Sequence, residues 1–443
     1  MTLPPRVVVA GTASGVGKTT VAIGLMAALR RAGERVAAYK VGPDYIDPSY
    51  HTVACDRPSY NLDPVLCGEG RVAPLFAAAV GGATVAVIEG VMGLYDGRGA
   101  TPFGSTAHVA RLLDAPVVLV VDASSMSRSV AALVHGFTTF EPGVRVAGVI
   151  VNRVGSDRHE SLLRDALAAA GVPVLGVLPR HAALVTPSRH LGLVPAGERV
   201  AAARATVDAL AELVREHVDL EAVLDVARSA GTADVDAWSP PTATGRRATV
   251  AVGAGPAFTF RYAANVAMLQ AGGADVVEFD PLTDESLPEG TDAVILGGGF
   301  PEVYAEQLAA NERMRTSMRR FAASGAPLYA ECAGLLYLAR TLDGHEMCGV
   351  VATDAVMTDT LSLGYRDAVG IAAPFEGLRL TGHVHHRTAT TPAASAIPQW
   401  RLDGAPSGFA SDHVVASYLH LHFAGSPEVP DWLLTRARLT AAR

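Results

Sequence analysis

The apolar positions in the first half of the chain fall in short uninterrupted runs. These are Val7-Val8-Val9-Ala10, Val36 to Tyr39, Val85-Ala86-Val87-Ile88, Pro116 to Val121, Val146 to Val151 and Val172 to Leu178. They are rich in Val and Ile and do not alternate with polar residues, the pattern of strands buried on both faces of a parallel sheet. Between them, stretches such as Thr19 to Arg31 and Ser105 to Leu113 carry helical spacing. Strand and helix in series predict a doubly wound, parallel-sheet α/β domain over residues 1–228. The segment 229–247 breaks the pattern with Gly231, Pro240, Pro241 and Gly245 and no periodic apolar face, so it reads as a linker. The α/β pattern restarts at Thr249 to Val252, Asp275 to Phe279, Ala293 to Leu296 and Pro327 to Ala330, predicting a second α/β domain over 248–443. From about Gly344 onward the chain is richer in Gly, His and Thr, which predicts shorter strands and loops around a site.

Composition narrows the function. The chain has 443 residues, 49% apolar and 18% charged, which fills large cores and excludes a disordered protein. A net charge of -8 gives no electrostatic reason to expect nucleic acid or an anionic membrane as partner. No apolar run approaches the roughly 20 residues that span a bilayer. Arg6 is followed by only a short apolar run leading into glycines, unlike a signal peptide, so the cytosol is the expected compartment. Cys55, Cys67, Cys332 and Cys348 have no metal-ligand spacing and are expected as free thiols.

Candidate chemistry begins at Gly11-Thr12-Ala13-Ser14-Gly15-Val16-Gly17-Lys18-Thr19-Thr20, between a strand and a helix. Glycines let backbone N–H groups turn toward phosphate oxygens, and the helix aims its N-terminal dipole at the same anion. Lys18 can reach the β- and γ-phosphates and a Thr19 or Thr20 hydroxyl can ligate Mg²⁺, so the loop predicts ATP with magnesium. It is one residue longer than the usual spacing, which places Thr12 where the first glycine is expected. Glu89 ends a buried strand, where open α/β sheets contact ligands, and is a candidate for the metal. In Lys40-Val41-Gly42-Pro43-Asp44-Tyr45-Ile46-Asp47-Pro48, Lys40 could neutralise a substrate carboxylate or the transferring phosphate. Asp44 and Asp47 could share the metal or position the substrate, or else bond only their own turn. Asn152, after the fifth strand, is a candidate reader of the nucleotide base.

In the second half, Ala326 to Leu338 reads as strand, sharp turn and helix with Cys332 on the turn. The helix dipole is expected to lower the thiol pKa, and Ala333 and Gly334 permit a tight elbow. Gly297-Gly298-Gly299 ends another strand and could supply oxyanion donors. A thiol nucleophile needs a base. Of the downstream histidines, those in Ala416 to Phe423 are best placed, since an alternating strand sends His420 and His422 to one face.

Together these strings resemble the cobyrinic/hydrogenobyrinic acid a,c-diamide synthase family of corrin biosynthesis, over nearly the whole chain. The resemblance rests on the loop, on Tyr39 to Pro48, Glu89 to Gly97, Arg189-His190-Leu191-Gly192-Leu193, Gly297 to Glu302, Glu331-Cys332-Ala333-Gly334 and Ser417 to His422. It implies a dethiobiotin-synthetase-like ATPase domain joined to a class I glutamine amidotransferase domain. It implies Cys332 as nucleophile, His420 as its base, and Gly298, Gly299 and Ala333 around the oxyanion. Thr19, Asp47 and Glu89 are the candidates to surround Mg²⁺. The implied substrates are a corrin carboxylic acid, glutamine and ATP, with carboxylates activated as acyl phosphates and no nucleic acid or membrane as partner; a homodimer is left open. The Ala-, Arg- and Val-rich composition leans by association toward the metal-free acid. Ala333 stands where the family usually has Gly, Val384 where it has Glu, and His422 where class I amidotransferases often place the carboxylate that orients the base. The competing readings are a diamide synthase for another tetrapyrrole, such as nickel-sirohydrochlorin, and a regulatory P-loop ATPase with an inactive second domain.

Overall fold

The Val- and Ile-rich runs become strands with both faces covered: β1 Arg6–Gly11, β2 Val36–Val41, β3 Tyr60–Leu62, β4 Val85–Glu89, β5 Val117–Asp122, β6 Val146–Val154 and β7 Val174–Pro179. Every residue of β1, β2 and β4 is buried, as expected of a sheet with helices on both faces. In this computed structural model, which describes residues 1–180, 188–189, 192–193, 195–239 and 246–441, the strands form one sheet in the order β3-β2-β4-β1-β5-β6-β7. All its pairings are parallel. All the carboxyl ends therefore share one edge, the edge at which such sheets bind ligands. Helix α1 (Lys18–Arg31) leaves β1 there, and α2 (Ile46–Cys55) leaves β2. No helix among the described residues is long and apolar enough to cross a membrane.

The chain divides into two units, Met1–Trp238 and Ser239–Arg443. Much of the segment read as a linker is bonded to the first unit. The Arg6 guanidinium donates to Gly231 O at 2.6 Å, Leu3 N–H to Ala233 O at 3.0 Å and Trp238 N–H to Pro74 O at 2.9 Å. Pro240, Pro241 and Gly245 lie outside the described residues, as do His190 and Leu191 of the Arg-His-Leu-Gly-Leu string.

In the second unit, strands Ala274–Phe279, Ala248–Gly253, Ala293–Leu296, Leu328–Glu331 and Val414–Ser417 lie side by side in that order, all parallel. The short strand Phe409–Ala410 closes the edge antiparallel. Two expectations are corrected here. The region after Gly344 forms not only short strands but a long antiparallel hairpin, Asp354–Gly370 with Arg379–Thr391. Its Thr, His and Gly content does not forbid this, because an antiparallel pair tolerates one wet face. The strand carrying the histidines stops at Ser417, before His420. Beyond it the backbone turns to the hairpin instead. His383 N–H donates to His420 O at 3.0 Å and His420 N–H to His383 O at 2.8 Å.

Candidate active sites

The glycine-rich loop sits between β1 and α1. Gly17 precedes α1 at φ 99°, and a Cβ there would lie 2.1 Å from Asn152 Nδ2, so both conformation and space demand glycine. No side chain caps α1, which leaves its first N–H groups for an anion. Ala13, Ser14 and Gly15 form the exposed crest, while Val16 is buried beneath it. Thr12 N–H donates to Val120 O at 3.3 Å and so extends the sheet rather than the cradle. Lys18 folds its ammonium onto Ala13 O at 3.0 Å, and Thr20 is half-buried on the first turn of α1. Asn152, expected at the base, is engaged at both ends of its amide. Its Nδ2 donates to Val16 O at 2.9 Å and its Oδ1 accepts from Arg153 N–H at 2.9 Å. Arg153 in turn donates to Gly15 O at 2.9 Å and pairs with Asp122. Asn152 and Arg153 thus brace the loop from the end of β6, with Asp122 at the end of β5 behind Arg153.

Below the loop lies a buried ionic cluster. The parallel register of β2 and β4 sets Lys40 directly beside Glu89. Lys40 Nζ lies 3.0 Å from Glu89 Oε1 and 2.7 Å from Asp47 Oδ2, and donates to Gly90 O at 3.0 Å. Thr19 Oγ1 is 2.6 Å from Glu89 Oε1 and 3.4 Å from Asp47 Oδ2. Sequence reasoning missed His51, fully buried, whose Nε2 is 2.6 Å from Glu89 Oε2 and whose Nδ1 is 3.2 Å from Ser59 Oγ. The signal was available, since Asp47 and His51 are four apart on α2 and share a face. Lys40, expected to meet substrate, is only 3% exposed and is the counter-ion of the two carboxylates. Asp44 serves its own turn, with Oδ1 accepting from Ile46 N–H at 2.8 Å and Asp47 N–H at 2.9 Å.

The electrostatics divide the two acids. Burial raises Glu89, but Lys40, His51 and the Thr19 hydroxyl outweigh it and hold the carboxylate well below its ordinary range. Burial pushes Asp47 up, the charges of Asp44 and Glu89 add to this, and Lys40 opposes them only in part. The two acids are thus pushed in opposite directions. Burial lowers Lys18, the Lys40 ammonium adds to it, and Glu89, Asp47 and Asp96 pull the other way.

In the second unit Cys332 occupies a strained elbow at φ 45°, ψ -99°, between the strand Leu328–Glu331 and the helix Ala333–Leu338. Its N–H donates to Ser417 O at 2.8 Å, and Gly334 N–H donates to Gly297 O at 3.0 Å, which pins the turn. The amides of Gly299 and Ala333 point at its sulfur, which also lies 3.7 Å from His385 O. Gly298 does not join them, because its N–H donates to Phe260 O at 3.2 Å. Its role is spatial: a Cβ at Gly298 would lie 2.3 Å from Cε1 of His420. The expected lowering of the thiol pKa is also corrected. Burial pushes Cys332 up and the Glu302 charge adds to it, outweighing the amides at the mouth of a six-residue helix.

His420 is fully buried and held well down by burial and by His383, His385 and His386. Burial likewise lowers His383 to about 3, and His386 and His422 to about 4, so each is neutral at pH 7. The His386 ring stacks on Tyr418 with centroids 3.7 Å apart. The carboxyl group that does approach His420 is that of Glu331, with Oε2 3.7 Å from Nδ1.

Comparison with known proteins agrees with this division. Residues 7–194 match the CobQ/CobB/MinD/ParA nucleotide binding domain, and residues 249–428 match the CobB/CobQ-like glutamine amidotransferase domain. A nucleotide-binding unit joined to an amidotransferase unit is the make-up of a glutamine-dependent, ATP-consuming ligase. The chain is 55% identical to a hydrogenobyrinate a,c-diamide synthase of Mycobacterium bovis over 95% of both proteins. It is 51% identical to one of Streptomyces coelicolor over 98% of both. It is 43% identical to a cobyrinate a,c-diamide synthase of Syntrophotalea carbinolica over 96% of both. The chain belongs to the hydrogenobyrinate and cobyrinate a,c-diamide synthase family.

Proposed function

We propose that this protein uses ATP and glutamine to amidate the a and c carboxylates of hydrogenobyrinic acid, in the cytosol. The observation that carries the reading is the pairing of a braced phosphate loop in one unit with an amide-ringed thiol in the other. The higher identity to the hydrogenobyrinate enzymes than to the cobyrinate enzyme supports the metal-free acid.

In the second unit, His420 takes the Cys332 proton and the sulfur attacks the side-chain amide carbon of glutamine. The Gly299 and Ala333 amides, already aimed at the sulfur, donate to the developing oxyanion. His420 returns the proton to the leaving nitrogen and ammonia departs. Water then cleaves the γ-glutamyl thioester to glutamate. In the first unit, a substrate carboxylate oxygen attacks the γ-phosphorus of ATP and ADP leaves. Ammonia attacks the acyl phosphate carbon, inorganic phosphate departs and the amide forms. Lys18 leaves Ala13 O to meet the phosphates, and the first amides of α1 bind their oxygens.

Magnesium fits the first site. Among the described residues no three His, Cys, Asp or Glu side chains are arranged to enclose an ion. Mg²⁺, however, typically takes one or two carboxylates and fills its shell with water and phosphate oxygens. Asp47 and Glu89 with the Thr19 hydroxyl are such a set, and the Lys40 ammonium already lies against both carboxylates. These three side chains would hold the ion, whose chemistry is to neutralise charge on the β- and γ-phosphates.

The test offers purified protein, ATP, magnesium and glutamine with the cobalt-free or the cobalt-containing acid, and weighs the products by mass spectrometry. The metal-free acid should go to the diamide with the higher kcat/KM. Preference for the cobalt acid, or amidation of neither, overturns the assignment.

A further inference from the structure

The base of an acyl-transfer site must present the correct tautomer, and a carboxylate on the far nitrogen commonly fixes it. The position where class I amidotransferases often carry that carboxylate is His422, which is buried and neutral. Another element fills the gap. Glu331, the last residue of the strand Leu328–Glu331 and the immediate neighbour of Cys332, is only 7% exposed. Its strand pairs with Val414–Ser417 with Glu331 opposite Ser417, which brings its side chain under the segment that carries His420. One oxygen, Oε1, accepts from the Tyr329 hydroxyl at 2.9 Å and from Leu421 N–H at 3.0 Å. The other, Oε2, faces His420 Nδ1 at 3.7 Å. A single carboxyl thus grips the backbone of the residue after the base with one oxygen and addresses its ring with the other.

We infer that Glu331 is the positioning residue of the glutaminase site, holding His420 as the Nδ1–H tautomer so that Nε2 carries the lone pair that takes the thiol proton. The inference rests on the reading of Cys332 and His420 as nucleophile and base. The 3.7 Å separation is longer than a hydrogen bond, and catalytic contacts of this kind tighten in the reacting complex. Burial pushes Glu331 up to about 8 against the Leu421 amide and the Tyr329 hydroxyl. Only the ionised carboxylate can accept from Nδ1–H, so Glu331 holds this tautomer once it has lost its own proton, above about pH 8.

The decisive variant is Glu331→Gln. Its carbonyl oxygen still accepts from Leu421 N–H and the Tyr329 hydroxyl, but its NH₂ donates to Nδ1 and imposes the opposite tautomer. Measured at about pH 9, where the wild-type Glu331 is ionised, glutaminase kcat should fall about 100-fold or more, the scale of general-base catalysis. KM for glutamine, and amidation supported by ammonium salts, should be unchanged, and Glu331→Asp should recover part of the loss. Wild-type kcat in Glu331→Gln, or an equal loss of ammonium-supported amidation, would overturn the assignment. A second measurement needs no Glu331 variant. Imidazole ¹⁵N spectra of the wild-type protein at about pH 9, where Glu331 is ionised, with His420 assigned from its missing signal in His420→Ala, should show the Nδ1–H tautomer; the Nε2–H tautomer would overturn it. Two controls test the underlying reading separately. Cys332→Ser and His420→Ala should each abolish glutaminase activity while His422→Ala retains it, and the opposite pattern removes the nucleophile and base whatever Glu331 does.

Discussion

Cys332→Ser should abolish glutamine-dependent amidation, by about 1,000-fold or more, and leave amidation from ammonium salts at the wild-type rate. Burial already pushes the thiol up, so the resting nucleophile is poised only by the Gly299 and Ala333 amides and by His420. A serine hydroxyl in the same buried elbow is far harder to ionise than a thiol. The strained backbone at φ 45° is unchanged by the swap, as are the Cys332 N–H bond to Ser417 and the Gly334 bond to Gly297, so the fold should persist. Parallel assays with glutamine and with ammonium chloride check this. Loss of both activities would sink the two-site account, and retention of both would remove the nucleophile.

Lys18→Ala should remove amidation with either nitrogen donor, by about 100-fold or more, since one preorganised contact to a transferring charge is worth that much. Among the described residues the Lys18 ammonium hydrogen-bonds the Ala13 carbonyl alone, so its removal should cost little stability. Glutaminase activity of the second unit should survive. Kinetics with ATP varied, alongside glutamate release, separate the two effects. Unchanged amidation would refute the phosphate role of Lys18.

The parallel sheet was legible because its strands are buried on both faces, and such strands read as uninterrupted Val and Ile runs at Val7, Val85 and Val117. The phosphate loop was legible because its backbone geometry demands glycine at Gly17. What escaped depended on contacts across the chain. Nothing local to Asn152 says that Val16 O lies 2.9 Å from its amide nitrogen. Nothing local to Gly298 says that Phe260 takes its N–H. The thiol was misjudged for a related reason, because a dipole argument sees the helix start but not complete burial. The histidine strand was misjudged because alternation predicts a face but not the partner, and the pairing of His420 with His383 leaves the sheet. His51 and Glu331 were each visible as residues, yet their meaning comes from the carboxylate or ring that another strand brings to them.

The central claim is that nitrogen freed at Cys332 becomes the amide formed beside Lys18. Glutamine labelled with ¹⁵N in its side-chain amide, supplied with ATP, magnesium and hydrogenobyrinic acid, tests it most directly. The account predicts a diamide carrying ¹⁵N at both positions, with one ADP, one phosphate and one glutamate released for each amide. Product without the label, or amides formed without matching release of ADP and phosphate, would contradict it.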